Sequence, residues 1–349
     1  MRYKLSRHNV ALIIAACAMN FPGQIARSHT AGDFYRGKTI RVMIGSAPGA
    51  VYDLTGRLLS RYMGRHIPGA PSIVVENRPG ASSLLMTNYL YNNAPRDGTA
   101  IGMPASGIML EPRLHLLTRE GGVARFDVSR LIWIGTPVQD PEVLWVYGTT
   151  PVKTFADLKR TSIVVGATAT GADNYTLPLI ANEVLGTHMK IVPGYQGQGN
   201  IFVAAERGEI QGNTTGLPNL TTAKADWIKE HRVSILVQFG TRRIDSLPNV
   251  PTAAELAATE DARKMLLLYA LKFNMARPLV VPPDVPPDRV VALRAGFEAT
   301  MQDPQFLAEA RHLGFDIKPI GGSEIDKYMK AIAAAPQGIV ERLRKLISP

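Results

Sequence analysis

The chain is 349 residues long, 46% hydrophobic, with a formal charge of +10 and a single cysteine. That length exceeds what one compact core ordinarily holds, so two domains are expected, and one cysteine excludes an intramolecular disulfide and a thiolate zinc cluster. The positive charge is dispersed rather than clustered with aromatic residues, so no nucleic-acid partner is expected.

Arg2, Lys4 and Arg7 open the chain, residues 10–19 are apolar and small, and no acidic residue precedes Asp33. This is the pattern of an export signal, so residues 1–31 are read as a signal peptide and the mature protein as exported. Ala16-Cys17-Ala18 and Ala26-Arg27-Ser28 both offer small-x-small cleavage sites. Cys17 also lies in a weak lipoprotein box, but the apolar stretch before it is short, which favours a soluble product over an anchored one. Removing Arg2, Lys4, Arg7 and Arg27 with the leader lowers the formal charge by four, from +10 to +6. Later in the chain the longest apolar run, MLLLYAL, is bracketed by Lys264 and Lys272 and is too short to span a bilayer, so no stable membrane insertion is expected.

After the leader, strand-like and helical patterns alternate. TIRVMIG (39–45) reads as a buried strand that Pro48 and Gly49 terminate. A helix follows to Gly64, with Leu54, Leu58 and Met63 toward one side and Arg57, Arg61 and Arg65 on another, the latter read as a solvated face. SIVVEN, the helix SSLLMTNYLYNNA and TAIGMP continue the alternation, which implies βαβ units and a parallel sheet. A second set runs from LWVYG (144–148) through FADLKR, SIVVGAT, TLPLIANEVLG, MKIVPGY and IFVAAERGE to VSILVQFG. Five prolines within residues 278–287 then enforce an extended course, read as a crossing strand and a rigid loop. Helices are expected over 288–302, from Pro304, and as one amphipathic segment over 323–346, all packing back on the first sheet. The fold class is α/β, with residues 32–138 plus 263–349 as the first domain, residues 139–262 as the second, and two connections between them forming a hinge.

Four Gly-containing turns each follow a strand pattern and precede a helix: APGA (47–50), RPGASS (78–83), TATGADN (168–174) and GYQGQGN (194–200). Free amides at helix starts and small side chains suit a carboxylate or phosphate. Ser82, Ser83, Thr170 and Asn174 add polar groups that serve equally well as ordinary helix caps, and Tyr175 and Tyr195 are placed to cover an apolar part of a ligand. Asp53, in the first helical turn, either satisfies the helix dipole or holds a ligand hydroxyl or ammonium group. There is no phosphate-binding G-x-x-x-x-G-K-[ST] loop, no dinucleotide fingerprint, and Ser106 in PASGI lacks the first Gly of a nucleophile elbow. The scattered histidines form no metal-binding spacing, so neither a metal nor a cofactor is expected.

The order of these features resembles the extracytoplasmic solute-binding receptors of tripartite tricarboxylate transporters, the TctC or Bug family. The motifs that carry the likeness include DFYRGKTIRVMIG, VVENRPGASS, NYLYNNAPRDGTAIG, PVKTFADLK, VPGYQGQGNIFVAAERGEIQG and DSLPNVPTAAEL. The resemblance implies a two-domain periplasmic-binding-protein-like fold with a ligand cleft between two mostly parallel sheets and a crossing-strand hinge. It implies a non-catalytic monomer that closes on a small carboxylate-containing solute and presents it to large and small membrane subunits. Carried over, the ligand contacts fall on Ala47, Gly49, Ala50 and Asp53, on Gly80, Ala81 and Ser82, and on Thr168, Thr170, Gly171, Asn174 and Gly197. Two departures from the family pattern, PGAV in the first turn and Ser82-Ser83 in place of two glycines, narrow the approach and suggest a smaller or differently oriented acid. The alternative is a secreted α/β enzyme, such as a hydrolase using Ser106.

Overall fold

The computed structural model describes residues 31–115 and 123–347; apart from Ala31, the expected signal peptide, with Cys17 and both cleavage sites, lies outside them. The first part of the chain forms α1 (Ala31–Tyr35), β1 (Thr39–Ile44), α2 (Val51–Tyr62), β2 (Ser72–Asn77), α3 (Leu84–Asn93), β3 (Ala100–Met103), α4 (Glu111–Leu114) and β4 (Ile132–Thr136). A second run forms β5 (Glu142–Tyr147), α5 (Phe155–Leu158), β6 (Val164–Gly166), α6 (Asp173–Leu185), β7 (Lys190–Val192), α7 (Gln198–Glu206), β8 (Gly212–Gly216), α8 (Leu217–Ala223), α9 (Ala225–Lys229) and β9 (Val233–Phe239). The chain then returns through α10 (Glu260–Ala270), β10 (Leu279–Val281), α11 (Pro287–Thr300), α12 (Pro304–His312), β11 (Ile320–Gly321), α13 (Gly322–Ala333) and α14 (Gln337–Ile347).

The strands form two sheets, ordered β11-β4-β10-β3-β1-β2 and β7-β6-β8-β5-β9. In the first, β1 pairs in parallel with β2 and β3, while β10 runs antiparallel to both β3 and β4. In the second, β6 is parallel to β7 and β8, and β5 runs against β8 and β9. β11 also runs antiparallel to β4, so each sheet is mixed rather than mostly parallel, with two of five neighbouring pairs parallel in the first and two of four in the second. Because β1 to β4 run in one direction, the turns that follow β1, β2 and β3 all lie at one edge, as expected for ligand sites in open α/β sheets.

The sequence pattern gives no separate strand at β8, since GNTTG lacks an apolar run. All five residues are nevertheless buried, and Asn213 is satisfied on both sides of its amide: Nδ2 donates to the Gly166 carbonyl at 2.7 Å and Oδ1 accepts from Gln198 Nε2 at 2.9 Å, while the Thr214 hydroxyl is buried without a partner. The arginine stripe of α2 is not simply solvated. Arg57 binds Asp53, Arg61 pairs with Glu309, and Arg65 pairs with Asp303, which also caps α12 through the Gln305 amide at 2.9 Å. The Arg61 contact joins α2 to α12, and the Arg65 contact joins the turn after α2 to the N-terminal cap of α12.

The single amphipathic helix expected over 323–346 is two helices, separated at Pro336, whose missing amide hydrogen and ring clash oppose continuation. α13 packs on β4, as expected, with Gly322 held so close that a Cβ would lie 2.2 Å from the Trp133 carbonyl oxygen. α14 does not return to the first sheet. It packs against α4, α10 and α6, and Ile339, Val340, Leu343 and Ile347 are buried in one cluster with Leu177, Ile180 and Leu185 of α6. The C-terminal helix thus links elements attached to both sheets.

Leu343 is fully buried at this junction. Leu343→Ala is expected to cost about 2–5 kcal/mol of unfolding free energy, read by urea denaturation. A loss under about 1 kcal/mol would mean that α14 is not docked in solution.

Candidate functional site

The first turn is shaped by contact with the second. Gly45 follows β1 and lies so close to Ser83 that a Cβ would meet the Ser83 Oγ at 2.2 Å. The chain then reverses through Gly49, whose φ is +79°, and the Ala50 amide bonds the Ala47 carbonyl at 3.3 Å. Asp53 is 2% exposed. Its carboxylate accepts from the Gly49 amide at 2.8 Å, from Arg57 Nε at 2.9 and 3.0 Å, and from Asn77 Nδ2 at 2.9 Å; Asn77 Nδ2 also donates to the Ser46 carbonyl. Burial works against the charged form, yet the hydrogen bonds from Arg57, the Gly49 amide and Asn77 outweigh it and hold the carboxyl below its ordinary range. Asp53 is therefore the latch of the turn, and the Gly49 amide is consumed in holding it. Ala47 stands exposed at the lip, with Ala50 half-buried behind it.

The second turn places Ala81, Ser82 and Ser83 at φ of +42°, +49° and +77°, three non-glycine residues in succession in the left-handed region, after Gly80 at +140°. Such residues cost about 1–2 kcal/mol each. Ser83 offsets part of that: its Oγ donates to the Gly45 carbonyl at 3.1 Å and accepts from the Ala105 amide at 3.0 Å, joining the ends of β1, β2 and β3. Gly80 and Ala81 are half-buried and Ser82 is exposed. Ser106 is engaged by Tyr52, whose Oη accepts from the Ser106 amide at 3.2 Å and donates to the Ala276 carbonyl. Burial pushes the Tyr52 hydroxyl up, so it is no base for a serine nucleophile at neutral pH.

On the second sheet, the Thr168 amide and hydroxyl both donate to Asn174 Oδ1, at 3.1 and 3.2 Å. The two turns of this side are bonded to each other, Gly194 amide to Thr168 carbonyl and Tyr195 amide to Ala167 carbonyl, each at 3.2 Å. Thr170 and Gly171 are exposed, Thr168, Asn174 and Gly197 half-buried. Tyr195 packs against the core of its own sheet. The structure thus brings the twelve expected residues together as two bonded pairs of turns, one pair per sheet.

Between the pairs lies a charged floor that sequence reasoning missed. Asp140 comes from the β4–β5 connection, Glu142 from the start of β5, Asp173 from the first turn of α6, and Tyr269, Lys272 and Arg277 from the return segment. Lys272, 6% exposed, donates to Asp173 Oδ1 at 2.5 Å and to Tyr269 Oη at 3.2 Å, and Tyr269 Oη donates to Asp173 at 2.8 Å. Burial opposes the Lys272 charge, but Asp173 and Tyr269 more than compensate and push its pKa up. Burial, then Asp173 and Asp140, push the Glu142 carboxyl well above the ordinary range, with Lys272 acting the other way. The usable signal was Asp140-Pro141-Glu142, two acids in the segment where the chain changes sheet. A cavity of about 180 Å³ lies on the other side of that segment, lined by Gln139, Pro141, Leu217, Arg242, Asn274 and Lys318, and shares no residue with the turns. Among the described residues no group of three or more His, Cys, Asp or Glu side chains is arranged to hold a metal ion, and no helix is long and apolar enough to cross a membrane.

Residues 62–344 match the family model described as the tripartite tricarboxylate transporter family receptor, TctC. The chain belongs to this family. A curated relative from Agrobacterium vitis, described as a UPF0065 protein in the TAR-I ttuE-ttuC' intergenic region, is 24% identical over 99% of this chain and 93% of its own length. The fold is similar to that of a TctC solute-binding protein from Polaromonas, with a TM-score of 0.68, 18% identity, and coverage of 88% of this chain and 99% of that one. It is also similar to Rpa4515 of R. palustris, solved with adipate, with a TM-score of 0.58, 18% identity, and coverage of 89% and 97%. The protein is accordingly a solute-binding receptor, with the two-lobed α/β fold expected from its sequence.

Folded Glu142 keeps its proton at pH values where the unfolded chain has lost it. The receptor's stability therefore falls as pH rises from the ordinary glutamate value through the raised one. Glu142→Gln is expected to flatten part of that fall and to raise the melting temperature at neutral pH, followed by calorimetry from about pH 4 to about pH 8. A variant with the wild-type pH profile would remove Glu142 from the buried floor.

Proposed function

We propose that this receptor works in the periplasm, where it captures a small carboxylate-containing solute in the cleft between its two lobes and delivers it unchanged to the large and small membrane subunits of a tripartite transporter. The observation that carries this reading is the pair of bonded turns on each sheet, set at strand ends with small side chains and helix-start amides. Family membership supports the transport role, and the adipate held by Rpa4515 makes dicarboxylates the first acids to try.

In this reading residues 32–138 plus 263–349 and residues 139–262 are the two lobes, with α14 laid across both. Ala47, Gly49, Ala50, Gly80, Ala81 and Ser82 form the lip on one side, Thr168, Thr170, Gly171 and Gly197 on the other, and Asp53 and Asn174 hold the turns in shape rather than touching the solute. Closure needs only a few kcal/mol of differential binding, because a shift from mostly open to mostly closed requires about 5.5 kcal/mol at most. The receptor acts as a monomer, and no group in the cleft is assigned a catalytic role.

The test is a thermal-shift screen of refolded mature protein against mono-, di- and tricarboxylates, with small-angle scattering on each hit. An acid at a hundred times its dissociation constant should add about 2.7 kcal/mol of stability. The scattering should show compaction, and the acid should be recovered intact. Silence with every acid would overturn the proposal, and conversion of the acid to a product would return Ser106 and the enzyme reading.

A further inference from the structure

Arg277 is the only arginine in the buried class among the described residues, at 9% exposed. It precedes β10 at the edge of the first sheet that carries the turns, and its amide donates to Thr136 Oγ1 at 3.4 Å, anchoring the base of the side chain to the end of β4. The Nε is buried without a hydrogen-bond partner. The one ion pair, Nη2 to Asp140 Oδ2, is 3.6 Å long, and the Phe315 ring lies 5.8 Å from the guanidinium carbon. Asp140 is short of a partner too, since its Oδ1 is buried and unbonded. A guanidinium offers five donors and a carboxylate about four acceptor positions, so this loosely matched pair leaves most of its capacity unused, at a cost that a completed network would remove.

The pair stands beside the turns: the Tyr52 hydroxyl, in the first turn of α2, donates to the carbonyl of Ala276, next to Arg277. Asp140 Oδ1 lies against Gly216, where β8 ends, and the charges of Asp140 and of Asp173, beside the 168–174 turn, both act on Glu142. Tyr52, which follows the 47–50 turn, feels both Arg277 and Asp140 electrostatically. Of the other charges of the floor, Lys272 is spent on Asp173, and burial pushes the Glu142 carboxyl up, as it does that of Asp140, which Arg277 opposes.

Resting on the solute-binding reading above, we propose that Arg277 and Asp140 select the solute: Arg277 holds a carboxylate through its guanidinium, and Asp140 accepts a hydrogen bond from a hydroxyl or ammonium group on the adjacent carbon. The preferred class is then an organic acid bearing an α-hydroxyl or α-amino group. An acid without that donor sets its carboxylate beside Asp140 with nothing between the two negative groups, which discriminates against it. Guanidinium recognition of this kind is planar and directional, so lysine is a poor substitute.

The experiment is isothermal titration of refolded mature receptor with matched acids, malate, aspartate and succinate in one set, citrate and tricarballylate in the other. In wild type, the donor-bearing member of at least one set should bind about tenfold more tightly than its plain partner. Asp140→Asn should narrow that ratio, and Arg277→Gln should weaken the preferred acid by about tenfold or more. Arg277→Lys should recover only part of the loss. Melting curves of each variant check folding, and if Arg277→Gln does not fold, Asp140→Asn carries the test alone. Equal binding within both sets, binding of plain acids such as adipate in place of these, or unchanged selectivity in Asp140→Asn would overturn the pair while leaving the receptor reading intact. Failure of every acid to bind would overturn the receptor reading and this inference with it.

Discussion

The Asp140 amide donates to the Phe273 carbonyl at 2.9 Å, and the rest of the architecture depends on this bond between the two crossing segments. The chain leaves the first sheet after β4 and returns before β10, and the two passages run side by side, tied further by the Ala276 amide to the Val138 carbonyl and the Arg277 amide to Thr136. Two separate tethers would allow the lobes to twist about independent points. Here the two passages are bonded to each other, and α14, packed against α4, α10 and α6, adds a further link between elements of the two sheets. The charged floor is built on these crossing segments.

The turns need a different kind of rigidity. Three left-handed non-glycine residues in a row would not persist unless the surroundings determined them. Here the surroundings are Ser83 Oγ, bonded to strand ends on two sides, and Gly45, whose lack of a Cβ leaves room for it. Glycine at residue 83 would relieve the backbone and lose the stitch, whereas serine keeps the stitch and retains strain. The same logic governs Asp53, which closes the first turn at the cost of an amide otherwise available to a ligand. In both places the sequence favours a fixed lip over a maximal number of free donors.

These details mark the limit of what the sequence could convey. β-branched runs bounded by glycine and proline placed β1, β2, β5, β6, β7 and β9, and the proline-rich stretch marked the crossing, because those signals are local. β8 escaped because its burial rests on Asn213, Gln198 and the Gly166 carbonyl meeting across the fold rather than on apolar residues of its own. α14 was misplaced because amphipathic periodicity shows that a helix buries one face and says nothing of which partner covers it. Asp53 was legible as a carboxylate at a helix start, but its three donors come from Gly49, Arg57 and Asn77, the last a strand away. The floor was illegible for the same reason: Asp140, Asp173, Lys272 and Arg277 are brought together by the crossing, and spacing along the chain carries no trace of it.

On the proposed reading, the floor bears on how a small solute drives closure. A fully satisfied network at the joint would leave closure to be driven by the lips alone, through amides and water. A network with unmet donors on Arg277 and unmet acceptors on Asp140 makes the joint itself a contributor, since groups left short of partners are stabilised only when something of the right chemistry arrives. On the proposal that Arg277 and Asp140 hold the solute, part of the differential affinity that favours closure comes from this floor. Glu142 fits the same arrangement: a further negative charge there would repel an incoming carboxylate, and burial beside Asp140 and Asp173 disfavours it, pushing the carboxyl up.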